Sequence, residues 1–590
     1  MFQKIVLTKT DNFFKKNHKN TYLSRACFSY DLEKKLPNEI KKLSPHHWND
    51  YDKLKKDKEY FNELIDRIFP ALLFALNSLK KKKYSKKFWK ILITHWLHSF
   101  IYINFDHWEM IRNLKLKEKK YFIDTFQINN EDIIPNTLED YIRLFGSDAW
   151  RQIMLIKILK FKFLKSKKKI EYLINNNLEN DISKNRHIIE KYQKNLIKKF
   201  IINSYNKIFG FIIKKQNFLI ARSYLGRLNE ILLNLKLFQL PTIFVPNIYT
   251  LSSKPSLEFR GKITLNFIPT NNFEKFLKKE IINQLPISFL EGFDEIENKI
   301  KDLNFPETPK CIFVSNSHHK SVLSRYCANN AENGCKIIHG QYGGSYGQWD
   351  MHWLEKYYKS ISDIYLTWGW TDHPNTYPLG MLRPLGPVRK EKKNYKQLLM
   401  IGKTIKSYGY SLDSNSRACQ SKNYLNDCFL AIKNLRIDIK ENLKIRLKPV
   451  GKGWEEKDRF KDLLSANKID MGKESIFSVI KKTKIYFATY NGTGYLESLA
   501  MNIPTVLFSN PYDEKLRGDS LEYFKLLEDN KIYFKDPILA TNHINQVWDD
   551  VNKWWLSEKV QSAREKFCLK YAKNNTKKLD DIIKIFKKEL

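Results

Sequence analysis

The residues best suited to chemistry are Thr489, Tyr490, Asn491, Gly492, Thr493 and Gly494, a small polar loop between the apolar run Ile485–Ala488 and the short stretch Tyr495–Ala500. That order reads as strand, loop and helix. Free N–H groups at a helix start, together with the positive end of its dipole, favour an anion such as phosphate. Glu497 falls one turn into the helix, where a carboxylate either caps the helix end or accepts hydrogen bonds from ribose hydroxyls. An ordinary strand-helix crossover has the same local pattern, so the surrounding segments must decide.

Three further loops follow apolar runs in the same way, and open parallel sheets bind ligands at the carboxyl ends of their strands. After Lys336–Gly340 comes His339-Gly340-Gln341-Tyr342-Gly343-Gly344-Ser345-Tyr346-Gly347. Its glycines let backbone approach a ligand closely, while His339 or a tyrosine hydroxyl is available for proton transfer or hydrogen bonding; a structural loop around a buried histidine is the plainer alternative. After Leu443–Leu447 come Lys448 and Pro449, so that Arg446, Lys448 and Lys452 gather cations beside the phosphate loop. Lys403 to Tyr410, with Ser407, forms a loop that closes over a diphosphate or an acceptor. Neither a P-loop nor G-x-G-x-x-G is present, which leaves ATPase and dinucleotide oxidoreductase chemistry without support. No metal site is expected: HExxH is missing, and the adjacent His318 and His319 cannot both face one ion from a regular strand.

These loops need a scaffold, and 590 residues with 42% hydrophobic content exceed a single core. The N-terminus reads as a strand, and helical spacing follows from Asn38, with Trp48, Trp89, Trp96 and Trp108 packing helices or lining an acceptor cleft. Leu155, Ile158, Leu159 and Lys162, followed by Lys165 to Lys169, suggest a basic helix that is either a surface helix or one resting on a membrane. Short β-rich runs then appear at 242–246, 262–269, 311–315 and 336–340, and again at 397–404, 443–449, 485–489 and 505–509. The predicted fold is α/β, with two Rossmann-like parallel-sheet domains, residues 1–388 and 389–590, and a helical region at about 38–235 in the first. Ile544, Val547, Trp548, Val551 and Trp555 form a stripe suited to a C-terminal helix that returns across the domain interface.

Lys+Arg 103 against Asp+Glu 64 gives a net charge of +39, which attracts nucleic acid, anionic lipid or phosphorylated substrates. AT-rich coding would raise lysine as well. The lysines are spread along the chain and no nucleic-acid-binding module is recognisable, so a basic nucleic-acid-binding protein is the weaker reading. Seven cysteines without a CxxC pair argue against a disulfide framework and for a reducing compartment. No signal peptide or membrane-spanning run is apparent, which points to a cytoplasmic protein, peripheral at most on the inner face of the membrane.

The segments at 46–61, 87–109, 339–347, Leu366-Thr367-Trp368-Gly369-Trp370 and 490–517 resemble a transferase family found in bacterial O-antigen gene loci, and the two-domain layout resembles GT-B glycosyltransferases. The likeness runs along nearly the whole chain. It implies transfer of a sugar from a nucleotide-activated donor to a lipid-linked or surface-polysaccharide acceptor, the O-antigen of lipopolysaccharide, without a cofactor or metal. In related enzymes using CMP-linked acidic sugars or CDP-linked polyols, His-Pro after a strand contacts the nucleotide; Lys448-Pro449 stands here instead. Polyol-phosphate transfer is the alternative within this architecture. The resemblance implies donor contacts from Lys403, Ser407, Arg446, Lys448, Pro449, Thr489, Tyr490, Asn491, Gly492, Thr493 and Glu497. Gly340, Tyr342, Gly343, Gly344, Trp368, Trp370 and Arg517 would line the cleft. His339 is the first candidate base, with Asp350 and Asp106 in reserve.

Overall fold

A computed structural model describes residues 3–9, 20–117, 120–164, 168–175, 182, 196–243, 251–317, 320–389, 395–415, 417–448, 453–512 and 514–588. Three parallel sheets organise them. The first contains β1 (Gln3–Val6), β2 (Asn20–Tyr22), β3 (Lys120–Thr125) and β4 (Lys169–Ile174) in the order β2-β1-β3-β4. The second runs β5 (Phe218–Ile220), β6 (Cys311–Val314), β7 (Lys336–Gly340), β8 (Ile364–Leu366) and β9 (Thr376–Tyr377) in chain order. The third contains β10 (Gln397–Ile401), β11 (Leu443–Arg446), β12 (Ile469–Asp470), β13 (Thr483–Ala488), β14 (Thr505–Phe508) and β15 (Tyr533–Phe534), ordered β12-β11-β10-β13-β14-β15. Central strands such as Cys311–Val314 and Thr505–Phe508 are buried along their whole length, as helices on both faces of a parallel sheet require.

The region 38–235 is not helical throughout as expected, because β3 and β4 of the first sheet and β5 of the second lie within it. Conversely, residues 262–269 form no strand: Leu265 and Phe267 are buried, yet Phe267 N–H bonds locally to the Leu265 carbonyl. Of the expected run at 242–246, only 242 and 243 are described and neither is in a strand. The helix Lys86–Arg112, started by Ser85 accepting from Phe88 N–H, is apolar nearly all round and passes through the molecule's interior. Trp89, Trp96 and Trp108 are buried on this helix and Trp48 is buried against it, so these tryptophans serve the core. The helix Asp148–Phe163 buries Leu155, Ile158 and Leu159 against the same core, which removes the apolar face a membrane helix would need. Lys162 turns inward as well, its amine 4.7 Å over the Trp108 ring. Lys165 to Lys167 lie outside the described residues. Among the described residues, no helix is long and apolar enough to cross a membrane. The side chains of Cys27, Cys311, Cys327, Cys335, Cys428 and Cys568 are buried thiols.

A C-terminal helix does return to the second sheet, but by a later segment than the sequence suggests. Ile544, Trp548, Val551 and Trp555 are buried in helices (Pro537–Val547 and Val551–Trp555) that stay on the third sheet. The crossing is made beyond the helix Glu558–Tyr571, where Lys573 N–H donates to the Trp368 carbonyl at 3.0 Å and the Lys573 carbonyl accepts from Met381 N–H at 2.8 Å. Gly369 permits this approach: its φ is +135°, and a Cβ there would stand 2.4 Å from the Leu569 carbonyl oxygen. The helix Lys578–Lys588 then inserts Ile582, Ile585 and Phe586 among Phe218, Phe313 and Leu366 of the second sheet.

Two outcomes follow from this core. Phe586→Ala deletes a fully buried ring stacked on Phe218 and lowers unfolding stability by about 3 kcal/mol, checked by urea denaturation. Burial pushes His95, His107 and His339 down to about 3 and His543 to about 4, so each stays neutral while folded and gains a proton once unfolded. Their contribution is therefore intact above about pH 6.5 and is lost by about 1.4 kcal/mol per group per unit as pH falls toward the folded values. Urea midpoints at about pH 7.5 and about pH 5.5 test this, and the second must be lower.

Candidate functional site

The phosphate-type loop is built on the carboxyl end of β13. Thr489 Oγ1 donates to the Ile401 carbonyl at 2.6 Å and pairs with Tyr424 Oη at 2.7 Å, which locks the loop to the end of β10. Glu514 then joins the neighbouring loops: its Oε2 accepts from Asn491 N–H (2.9 Å) and Ser509 Oγ (2.6 Å), and its Oε1 meets Lys403 Nζ at 2.8 Å. Lys403 and Asn491 are thereby brought together at the carboxyl edge of the sheet. The Asn491 side chain is 1% exposed, and neither its oxygen nor its nitrogen has a hydrogen-bond partner among the described residues. Gly492 begins the helix Thr493–Ala500, and no side chain caps its first turn. Tyr490, Gly492, Thr493 and Gly494 are partly exposed.

Glu497 does not cap that helix. It is 2% exposed and its Oε1 lies 2.9 Å from Arg383 Nη1, in the segment that leaves the second sheet. Burial pushes its carboxyl up, and Arg383 opposes the rise. Arg446 is half-buried, donating to Asp470 Oδ2 (3.1 Å) and to the Glu474 carbonyl (2.7 Å), within electrostatic reach of Tyr486 beneath Gly494. Lys448 is exposed and Pro449 lies outside the described residues.

The glycine loop after β7 meets this loop directly. Gly344 N–H donates to Thr493 Oγ1 at 2.9 Å, and a Cβ on Gly344 would stand 2.4 Å from the Gly492 carbonyl oxygen. Gly343 and Tyr342 sit alongside, both partly exposed, and Gly340 closes β7 against Leu382 and Ser315. Two of the expected cleft residues are elsewhere. Trp368 and Trp370 are fully buried beneath the loop, because the Gln341 side-chain oxygen accepts from Trp370 Nε1 (2.9 Å) and Trp368 N–H (3.0 Å). Arg517 ties distant segments together: its guanidinium meets Glu355 and Asp372 as well as the neighbouring Asp519.

The three candidate bases differ sharply. His339 is 0% exposed, with Nε2 3.1 Å from Ser317 Oγ and Nδ1 2.8 Å from Ser362 Oγ; burial pushes it down to about 3. Both nitrogens serve the second sheet, so the ring cannot take a substrate proton as placed. Asp350 accepts from Tyr51 Oη at 2.7 Å at the junction of the sheets. Asp106 faces a cavity of about 880 Å³ that Ser407 also lines, between the first sheet's strand ends and the loops of the third. His46 and His47 each place Nε2 2.9 Å from Asp106 Oδ1. Among the described residues this trio is the one group of histidines and acids clustered closely enough to hold a metal ion, whereas His318 and His319 lie outside them.

Sequence reasoning missed Gln341, Arg383, Tyr424, Glu514, His46 and His47. Glu514 follows β14 and falls under the same strand-end rule that selected Asn491. The His46-His47 pair precedes a helix start, in a tight turn where adjacent side chains converge on one atom, which strand geometry forbids.

Comparison with known proteins adds the following. No curated protein matches the chain. Among solved structures, similarity is found to TarM (12% identity, TM-score 0.30, 47% of this chain and 54% of that one), so the chain spans about half the length of TarM. It is also found to the wall teichoic acid polymerase TagF (10%, 0.29, 51% and 84%) and to the spinosyn rhamnosyltransferase SpnG with its aglycone (10%, 0.29, 50% and 77%). At these scores the three likenesses carry no argument about chemistry. The model of the LIC12162 family of transferases, in contrast, matches residues 3–588, and the chain belongs to that family.

Proposed function

We propose that this transferase is a glycosyltransferase of GT-B type. It moves a sugar from a nucleotide-activated donor, a CMP-linked acidic sugar being the leading choice, to a surface-polysaccharide or O-antigen acceptor. One observation carries the reading: the helix Thr493–Ala500 starts without a side-chain cap, beside the buried, unpartnered amide of Asn491. Uncapped amides and an unsatisfied buried amide are groups that a phosphate oxygen and a nucleotide hydroxyl would complete.

In the reaction, the bond from the anomeric carbon to the donor phosphate oxygen breaks and that oxygen keeps the electron pair. The helix-end amides and the cations Lys403 and Arg446 stabilise the charge that develops there. The acceptor hydroxyl oxygen forms the new bond, and its proton passes to the carboxylate of Asp350, because the two imidazoles beside Asp106 hold that group ionised and lower its proton affinity. Tyr342, Gly343 and Gly344 roof the donor from the second sheet, and the high positive charge of the chain suits an anionic membrane surface around a lipid-linked acceptor.

Thermal unfolding with CMP, CDP, UDP and GDP tests the reading, because a ligand bound only by the folded state raises Tm. One nucleotide is expected to stabilise the wild type, and Asn491→Ala is expected to weaken its binding about tenfold with little change in Tm of the free protein. Absence of stabilisation by all four contradicts the assignment. Product mass then separates a glycosidic from a phosphodiester linkage, the latter being the mark of polyol-phosphate transfer.

A further inference from the structure

The cavity faced by Asp106 has a chemistry of its own. His46 and His47 stack with centroids 4.4 Å apart and direct both Nε2 atoms at Asp106 Oδ1. His46 Nδ1 accepts from Trp48 N–H at 3.2 Å, so the proton of the neutral ring is on Nε2 and is donated to Asp106. A metal ion would need that Nε2 lone pair and would force a proton onto Nδ1, facing the Trp48 N–H. The trio is therefore a clamp on a carboxylate more readily than a ligand set. Burial raises the proton affinity of Asp106, and the two imidazoles overcome it and hold the group ionised. Both histidine contacts are to Oδ1, which leaves Oδ2 outside the clamp.

Across the same cavity the charge has the opposite sign. Arg25 and Arg459 both pair with the single carboxylate of Glu33, at 3.0 and 2.7 Å. Lys422 stands close enough that, after burial, the nearby Arg25 charge lowers its proton affinity further. Arg25 Nη2 is buried with no hydrogen-bond partner among the described residues. Arg25 and Lys422 line the cavity, so its wall carries uncompensated positive charge that an anion would neutralise. A volume of about 880 Å³ is ample for a sugar ring with a substituent.

We infer that this cavity binds an anionic sugar, one hydroxyl of which donates to Asp106 Oδ2 while its carboxylate or phosphate meets Arg25 and Lys422. As a binding site it is independent of the donor reading above; as the place where an acceptor sits, it rests on that reading.

Calorimetric titration of the full-length protein with glucuronate, glucose 6-phosphate, glucose and inorganic phosphate tests it. Both anionic sugars are expected to bind at least about tenfold more tightly than glucose or inorganic phosphate. Lys422→Ala, an exposed position that leaves the fold intact, is expected to cost the anionic sugars about tenfold, as is Asp106→Asn where circular dichroism shows it folded. Equal binding of glucose overturns the charge recognition, equal binding of inorganic phosphate overturns the sugar, and no binding of any probe at about 20 mM overturns the site. Stoichiometric Zn²⁺ uptake that disappears in His46→Ala replaces it with a metal centre. Nucleotide stabilisation unchanged in Lys422→Ala separates this result from the fate of the donor assignment.

Discussion

The contact on which the rest depends is one peptide wide. Gly344 of the second sheet's loop lies against the Gly492 carbonyl at the start of a helix of the third sheet, so close that a methyl group would overlap it. Only glycine allows two backbones to meet there while Gly344 N–H reaches Thr493 Oγ1. Because the contact is made by backbone, it fixes the distance between two strand-end loops without filling the space around them with side chains. The loop behind it is stiffened accordingly: the Trp370 indole donates to the Gln341 side-chain oxygen and the Trp368 indole to the Gln341 carbonyl, and Arg517 ties the adjoining segment to Glu355 and Asp372. The side-chain amide of Asn491 is buried beside this contact with neither its oxygen nor its nitrogen hydrogen-bonded among the described residues, which is what a ligand would complete.

A second constraint acts through the helix Lys86–Arg112. It carries Asp106 to the end of the first sheet and presses against helices from the second, so the cavity wall and the glycine loop share one rigid support. The third sheet's loops reach the same place through Tyr30 N–H to Glu455 and Arg459 to Glu33. Loops that follow strands of the first and of the second sheet thus each meet loops of the third.

Much of this was legible in the residues. Strands such as Cys311–Val314, Gln397–Ile401 and Thr505–Phe508 read as unbroken apolar runs because both faces are covered. Of the first sheet, the N-terminal strand was legible and others were hidden: Asn20–Tyr22 is short and polar, and Lys169–Ile174 is half-exposed, so neither has the continuous apolar signature. Asn491 and Gly344 were picked out because loops after buried strands are short and rich in small residues, and the structure sets those two loops against each other. His339 misled, since a histidine closing a strand looks the same whether it faces a cleft or two serines some twenty residues away. Trp368 and Trp370 misled similarly, because aromatic content does not tell a cleft wall from a buried support. The His46-His47-Asp106 trio needed two segments 59 residues apart to converge, which no local pattern records.

Residue-resolved hydrogen exchange, followed with and without the stabilising nucleotide, tests the central claim most directly. If helix-end amides hold the donor phosphate, exchange at Gly492, Thr493, Gly494 and Tyr495 slows in the complex while the Lys578–Lys588 helix is unaffected. Protection that appears only outside this turn would contradict the account.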